Sequence, residues 1–199
     1  MDFFTFAAPF YNVLLSAVHK RQGKELLKEL SPLQGKKVLD LGGGTGKLAT
    51  QMSSAGADVW LLDASPQMLR QASPVLPGER VILGEAADLP FDHNFFDIIT
   101  LVDTLHHIRK QKDTLLECYS ALLPGGSLYL LEFHPKYLSI RVLAALERIS
   151  GEPAQFLTPE NLTGLLIKTG FNKIETKYTQ AYEYMIKAKK PRVTKRRGY

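Results

Sequence analysis

Cysteine is almost absent from this 199-residue chain: Cys118 stands alone, so no internal disulfide can form and packing must hold the fold. In Thr114-Leu115-Leu116-Glu117-Cys118-Tyr119 the thiol falls on what reads as a helix face, a packed structural group rather than a nucleophile. Long apolar runs are missing too. The stretch from Phe3 to Val18 has no basic residues ahead of it and is broken by Thr5, Pro9, Asn12 and Ser16, so it reads as neither signal peptide nor membrane span, and a cytoplasmic protein is expected. Acids are missing after Glu183, where Lys187, Lys189, Lys190, Arg192, Lys195, Arg196 and Arg197 supply seven positive charges. The net charge is +5, so the rest of the chain is at −2, and the run reads as a solvated tail over 187–199. No aromatic interleaving accompanies it, and nucleic acid is not expected as a partner. No Cys/His spacing resembles a zinc site, and Glu132, His134 and Asp103 are too sparse to argue for a metal; none is expected.

What is present is alternation. Phe10, Val13, Leu14, Ala17 and Val18 recur at helical spacing, and a second helix is expected from Lys24 to Leu30, ending at Ser31-Pro32. From Lys37 short apolar runs alternate with helical stretches. Strands are expected at Val38–Leu41, Val59–Leu62, Val81–Leu83, Phe96–Val102 and Ser127–Phe133. Helices are expected at Leu48–Ala55, Pro66–Ala72 behind a Ser65 cap, and Thr114–Leu123, which stops at Pro124-Gly125-Gly126. Leu138, Val142, Leu146 and Ile149 mark one stripe of a further helix, and Thr158-Pro159-Glu160 opens a last one that ends at Gly170. Ile174–Tyr178 and Tyr182–Ile186 read as an antiparallel pair. The pattern predicts one α/β domain, Rossmann-like and doubly wound, with a mostly parallel seven-stranded sheet, a C-terminal antiparallel hairpin and an N-terminal helical lid.

Chemistry concentrates after the first strand, in Asp40-Leu41-Gly42-Gly43-Gly44-Thr45-Gly46. Ligands of open α/β sheets bind outside the carboxyl ends of the strands, and glycines there let backbone approach a ligand. A phosphate-binding P-loop would need glycine at Leu41 and Ser or Thr at Leu48, so that reading fails. A dinucleotide fingerprint threads weakly through Gly44, Gly46 and Ala49 and keeps a nicotinamide-dependent oxidoreductase open. Asp40 favours another ligand, because its carboxylate would repel a pyrophosphate but attract the ammonium group of an amino-acid moiety. Asp63, 17 residues after Gly46, can accept both hydroxyl protons of a ribose, or cap the helix that begins near Pro66.

These segments, with Leu62-Asp63-Ala64-Ser65-Pro66-Gln67-Met68-Leu69, Gly84-Glu85-Ala86-Ala87-Asp88-Leu89-Pro90-Phe91, Phe96-Asp97 and Leu122-Leu123-Pro124-Gly125-Gly126, resemble the ordered motifs of class I S-adenosyl-L-methionine-dependent methyltransferases. The Gly-Gly-Thr-Gly loop and Leu131-Glu132-Phe133 resemble most the ubiquinone/menaquinone C-methyltransferase group, and the likeness covers residues 36–134. That resemblance implies S-adenosylmethionine as cofactor and a small-molecule methyl acceptor. It implies that residues 1–34 and 135–186 flank a cofactor-binding core over 35–134. It sets Gly42, Gly43, Gly44, Thr45 and Gly46 against the methionine moiety, Asp63 on the ribose, Ala64 and Met68 beside the adenine, and Glu85 and Ala86 at its edge. Glu85 departs from the family's usual Asp or Asn, and Val102 stands where the quinone enzymes often carry Ser.

Val102-Asp103-Thr104-Leu105-His106-His107 follows the fourth strand, so Asp103, His106 and His107 are the polar candidates near the reacting methyl, with His134 after the fifth strand. A histidine there would serve as general base, or simply pack and cap the next helix. Tyr11 is a candidate to close over the methionine end. An apolar lid would suit a quinone-like, lipid-like or aromatic acceptor, and in-line displacement from a sulfonium can proceed by positioning alone.

Overall fold

The structure, a computed structural model, describes residues 21–72 and 76–192. Two compact units make up the chain, Met1–Leu33 and Gln34–Tyr199. In the first, residues 21–30 form helix α1, with Lys28 paired to Glu25 at 3.0 Å. The helix expected from Phe10 to Val18, and Tyr11 with it, lies outside the described residues, as do the last basic positions from 193 onward.

The second unit is built on one sheet. In chain order come β1 (Lys37–Leu41), α2 (Lys47–Ser54), β2 (Asp58–Asp63), α3 (Pro66–Ala72), β3 (Val81–Leu83) and β4 (Phe96–Val102). After them come α4 (Gln111–Ala121), β5 (Leu122–Phe133), α5 (Leu138–Ile149), α6 (Pro159–Lys168), β6 (Asn172–Gln180) and β7 (Glu183–Lys189). The strand order is β3-β2-β1-β4-β5-β7-β6. Pairing is parallel from β3 through β5 and antiparallel where β7 meets β5 and β6. This is the seven-stranded α/β sheet that the alternation predicts.

Its core follows from the apolar runs. Leu39, Leu41, Ile99, Leu101, Leu128 and Leu130 are buried in the central strands, as parallel strands covered on both faces require. At the opposite end from the glycine loop the ring of Phe96 meets Trp60, Phe91 and Phe95 edge to face, with centroids 5.6, 4.8 and 4.9 Å away. The two polar residues of the β4 run both tie it to β1. Asp97 accepts from Lys36 Nζ at 2.9 Å and from the Lys37 N–H at 3.1 Å, and Thr100 donates to Asp40 at 2.9 Å.

Local signals hold at several ends. Thr158 caps α6 by accepting from the Asn161 N–H, with Pro159 as the first helical residue, and Gly170 at φ 102 follows the helix. Cys118 is fully buried, and burial pushes its thiol pKa far up, as a structural thiol requires.

Two expectations need correction. Pro124-Gly125-Gly126 is not a turn between helix and strand: α4 stops at Ala121, and β5 starts at Leu122 with a bulge. Phe96 faces Leu122 while Ile98 faces Ser127, and the extra residues are held by Lys190 from beyond β7. Its backbone brackets the bulge, through the Gly125 N–H donating to Lys190 O at 2.9 Å and the Lys190 N–H to Gly126 O at 3.0 Å, and its Nζ donates to Leu122 O at 2.8 Å. Lys187 and Lys189 are therefore sheet residues and Lys190 fastens the bulge, so none of the three belongs to a solvated tail. The stripe of α5 lies largely outside the core: Leu138 is 73% exposed and Ile149 74%, while Ile140 and Ala144 are buried.

Removing the Phe96 ring should cost about 3–5 kcal/mol, the usual range for a buried phenylalanine cut to alanine. Denaturant unfolding of Phe96→Ala is expected to show that loss as a lower midpoint with an unchanged slope.

Candidate functional site

Parallel pairing brings the carboxyl ends of β1, β2, β3 and β4 to one rim, and the order reverses between β1 and β4, where a crevice opens. The five-residue glycine loop lies on that rim. Asp40 sits beneath it, 2% exposed, with Oδ1 accepting from Thr100 and Oδ2 without any hydrogen-bond partner. A Cβ on Gly43 would lie 2.7 Å from that Oδ2, so only glycine lets the chain pass over the carboxylate. Burial pushes the Asp40 pKa up to about 6, opposed by the Thr100 hydroxyl and the Ala49 N–H and helped by the charge of Asp63.

Asp63 closes the loop from the other side. Its Oδ2 accepts from the Gly44 N–H at 2.9 Å and its Oδ1 from the Ser65 N–H at 2.8 Å. Both oxygens keep lone pairs for a further donor. Ser65, in turn, accepts from the Met68 N–H at 3.3 Å, so Ser65 caps α3 and Asp63 serves the loop. Gly44, at φ 54, would carry a Cβ into open space, which leaves room for a ligand against the loop. Within α3, Met68 is 44% exposed, and Glu85 and Ala86 follow β3 in the turn whose Gly84 N–H donates to Asp63 O at 3.2 Å. The predicted cofactor residues from Asp40 to Ala86 thus share one rim.

After β4 the chain turns sharply. Asp103 adopts φ 48, a left-handed conformation that aspartate tolerates, and Thr104 Oγ1 donates to Gly42 O at 3.3 Å and to Val102 O at 2.8 Å. Leu105–His107 then form a 3₁₀ turn. The Leu105 N–H donates to Glu132 Oε1 at 2.8 Å, and His106 Nδ1 lies 2.6 Å from Glu132 Oε2, with the ring 3% exposed. Burial alone would lower the His106 pKa, but the charge and hydrogen bond of Glu132, with Asp103 and Glu147 farther off, raise it overall. His107 goes the other way, lowered by burial and by His106. Burial raises Glu147, against the pull of His106.

The connection between α5 and α6 is strapped onto this turn. The Gln155 N–H donates to His106 O at 2.8 Å, Gln111 Nε2 bridges Leu105 O and Gln155 O, and Tyr184 Oη donates to Leu157 O at 2.8 Å. Phe156 stacks on His106 with centroids 4.0 Å apart. Ala154 holds φ 44, a strained value for alanine, and its carbonyl accepts from Arg148 at 2.7 Å. Phe156 and α5 line a cavity of about 530 Å³ that is open to solvent on one side, lined also by Leu138, Val142, Ala145, Arg141 and Arg148. The exposed stripe of α5 therefore faces this cavity in part.

His134 does not join the other histidines. It packs among Tyr137, Tyr178 and Tyr184, and its Nδ1 accepts from the Lys136 N–H at 3.1 Å. Glu132, Glu147 and Phe156 are the residues of this region that the sequence reading did not rank. Only Glu132 carried a signal, as the one charge in the apolar run of β5.

Because the folded-state pKa of Asp40 is raised, its contribution to stability is full below about pH 4 and is lost as the pH rises through about 6. Between pH 3 and 7.5 the wild type should lose about 3 kcal/mol relative to Asp40→Asn, at about 1.36 kcal/mol per pKa unit, in parallel denaturation series.

Comparison with known proteins agrees with this geometry. Residues 39–130 match the family model described as "Methyltransferase domain". The demethylmenaquinone methyltransferase of Renibacterium salmoninarum is 32% identical over 165 residues, covering 75% of this chain and 70% of that protein. The ubiquinone/menaquinone biosynthesis C-methyltransferase UbiE of Cereibacter sphaeroides is 31% identical over 142 residues, 65% of this chain and 57% of that protein. Among solved structures, an S-adenosylmethionine-dependent methyltransferase from Mesorhizobium loti superposes with a TM-score of 0.74 at 20% identity, over 85% of this chain and 98% of that one. With its switch-point loop, its buried aspartate and these relatives, the chain belongs to the class I S-adenosylmethionine-dependent methyltransferases, in the ubiquinone/menaquinone C-methyltransferase-like group.

Proposed function

We propose that this methyltransferase holds S-adenosylmethionine along the Gly42–Gly46 loop and Asp63, and methylates a small apolar or aromatic acceptor seated beside α5. The observation that carries the cofactor placement is the unpartnered, buried Oδ2 of Asp40 under Gly43. An anionic oxygen in that position fits a cation approaching across the loop, and the ammonium of the methionine moiety is such a cation. It would repel a pyrophosphate, which argues against a nicotinamide cofactor.

When bound, S-adenosylmethionine supplies a sulfonium-borne methyl group. The chain's part is to hold and to dry. Gly43 and Gly44 let the backbone approach the methionine end, beside Thr45. The spare lone pairs of Asp63 accept the ribose hydroxyls while its other contacts keep the loop closed. Ala64 and Met68 flank the adenine, with the thioether on the ring face, and Glu85 and Ala86 meet its edge. Val102 and Asp103 bound the reacting end, and Thr104 fixes their turn against Gly42.

The acceptor reading rests on a chain of contacts: Thr104 touches the loop, His106 follows it, Phe156 covers the face of His106, and the cavity begins at Phe156. Its lining is mostly aliphatic with one aromatic ring and two guanidiniums, which suits a ring-sized acceptor bearing an oxygen or an acid group. A quinone-like acceptor agrees with the names of the relatives, and transfer to it would rest on alignment within a dry pocket.

Calorimetric titration should show S-adenosylhomocysteine binding at micromolar strength or better and no NADH binding. Asp63→Ala should weaken the former at least tenfold, and below pH 6 the wild-type affinity should fall as Asp40 takes up its proton, while Asp40→Asn stays flat. NADH binding alone would overturn the reading. Ala145→Trp, which fills the cavity, should leave S-adenosylhomocysteine affinity intact and remove at least nine-tenths of the turnover found in a screen of phenols, catechols and hydroxynaphthoquinones.

A further inference from the structure

The histidine turn after β4 meets α5 at a place that the methyl-transfer reading leaves unused. His106, His107 and Glu147 each bring one ligand-capable atom into a group whose members all lie within 4.8 Å of one another. His106 has one nitrogen to spare. Its Nδ1 is committed to Glu132 at 2.6 Å, so in the neutral ring Nε2 carries the lone pair. A carboxylate that fixes the tautomer and orientation of a ligating imidazole is the usual support behind a histidine ligand, and Phe156 fixes the ring plane by stacking at 17°.

Glu147 supplies the second observation. Its Oε2 is buried and has no hydrogen-bond partner, an expensive state for a carboxylate oxygen that faces two imidazoles. His107 has its Nδ1 3.7 Å from Glu152, so a further carboxylate stands behind the second imidazole. Ligands around one tetrahedral zinc ion sit about 3.3 Å apart, given bonds of about 2.0–2.1 Å, so closing each pair by at most about 1.5 Å, less than about an ångström of movement per donor, would bring the three donors onto one ion.

We infer that His106, His107 and Glu147 form a binding site for a divalent transition-metal ion of the zinc type. Two imidazoles and one carboxylate suit zinc, cobalt and nickel rather than magnesium or calcium, which take oxygen ligands almost exclusively. The spacing hid the site: Glu147 follows His107 by forty positions, and the chain after α5 returns to the 3₁₀ turn through Gln155 and Phe156. Alone, an ion there would join the β4 rim to the helix that walls the cavity.

The test is titration of chelator-treated, tag-free protein with Zn²⁺ by calorimetry and with Co²⁺ by visible absorption. One equivalent is expected to bind with a Kd of micromolar or below, and Co²⁺ is expected to show a d–d band. His107→Gln and Glu147→Gln, both in partly exposed positions, should each weaken Zn²⁺ at least tenfold. S-adenosylhomocysteine binding and circular dichroism should stay as in the wild type, and the exposed His93→Gln control should match it. Absence of Zn²⁺ binding below about 100 μM, or binding that survives both substitutions, overturns the site. Should either variant fail to fold, wild-type protein decides: Zn²⁺ should shield His107, and not His93, from diethylpyrocarbonate, and equal modification with and without the ion overturns the proposal.

Discussion

One buried carboxylate organises the cofactor end of this molecule. Asp40 stands in the middle of the parallel sheet, where water cannot reach it, and its position costs stability at neutral pH. Everything around it is shaped to that cost. Thr100, its register partner on β4, satisfies one oxygen, and a glycine passes over the other because nothing larger fits. The charge left in place is a fixed electrostatic feature aimed at the crevice, of the kind that binding sites retain at the expense of the fold.

The loop above it is closed by a second carboxylate that works through backbone. Asp63 gathers N–H groups from two different segments, the β1 loop and the start of α3, so the loop's shape does not depend on its own few side chains. Asp97 plays the corresponding part at the far end of the sheet, joining β4 to the entrance of β1. The strand β4 is thus pinned to its neighbour at two levels by the two polar residues that interrupt its apolar run.

Much of this was legible beforehand, and the reasons differ by element. Strand runs such as Val38–Leu41 and Phe96–Val102 and the Thr158 cap are local signals, and local physics decided them. The glycine loop, Asp40 and Asp63 were readable because a ligand at a strand end demands those residue types. Pro124-Gly125-Gly126 misled because a bulge and a turn use the same residues, and the difference lay in Lys190, far along the chain. The α5 stripe was legible as an apolar helix face, but what it meets was not, because such a face looks alike whether it meets a core or a cavity. The histidine turn was visible as a candidate, yet its partners Glu132, Glu147 and Phe156 lie 26, 41 and 50 positions from His106, beyond the reach of any local pattern.

The order of the last two strands has a consequence for synthesis. β7 pairs on one side with β5 and on the other with β6, yet it is made after both. While the ribosome works through 134–182, β5 presents an open hydrogen-bonding edge and β6 emerges with no neighbour to receive it. The sheet cannot finish from one end like a zip; it is completed by inserting a strand into a gap, and Lys190 arrives behind that strand to fasten the bulge. A nascent chain of this protein thus carries an adhesive edge until β7 has left the tunnel, so that crowding during translation, rather than the finished fold, is where aggregation would begin.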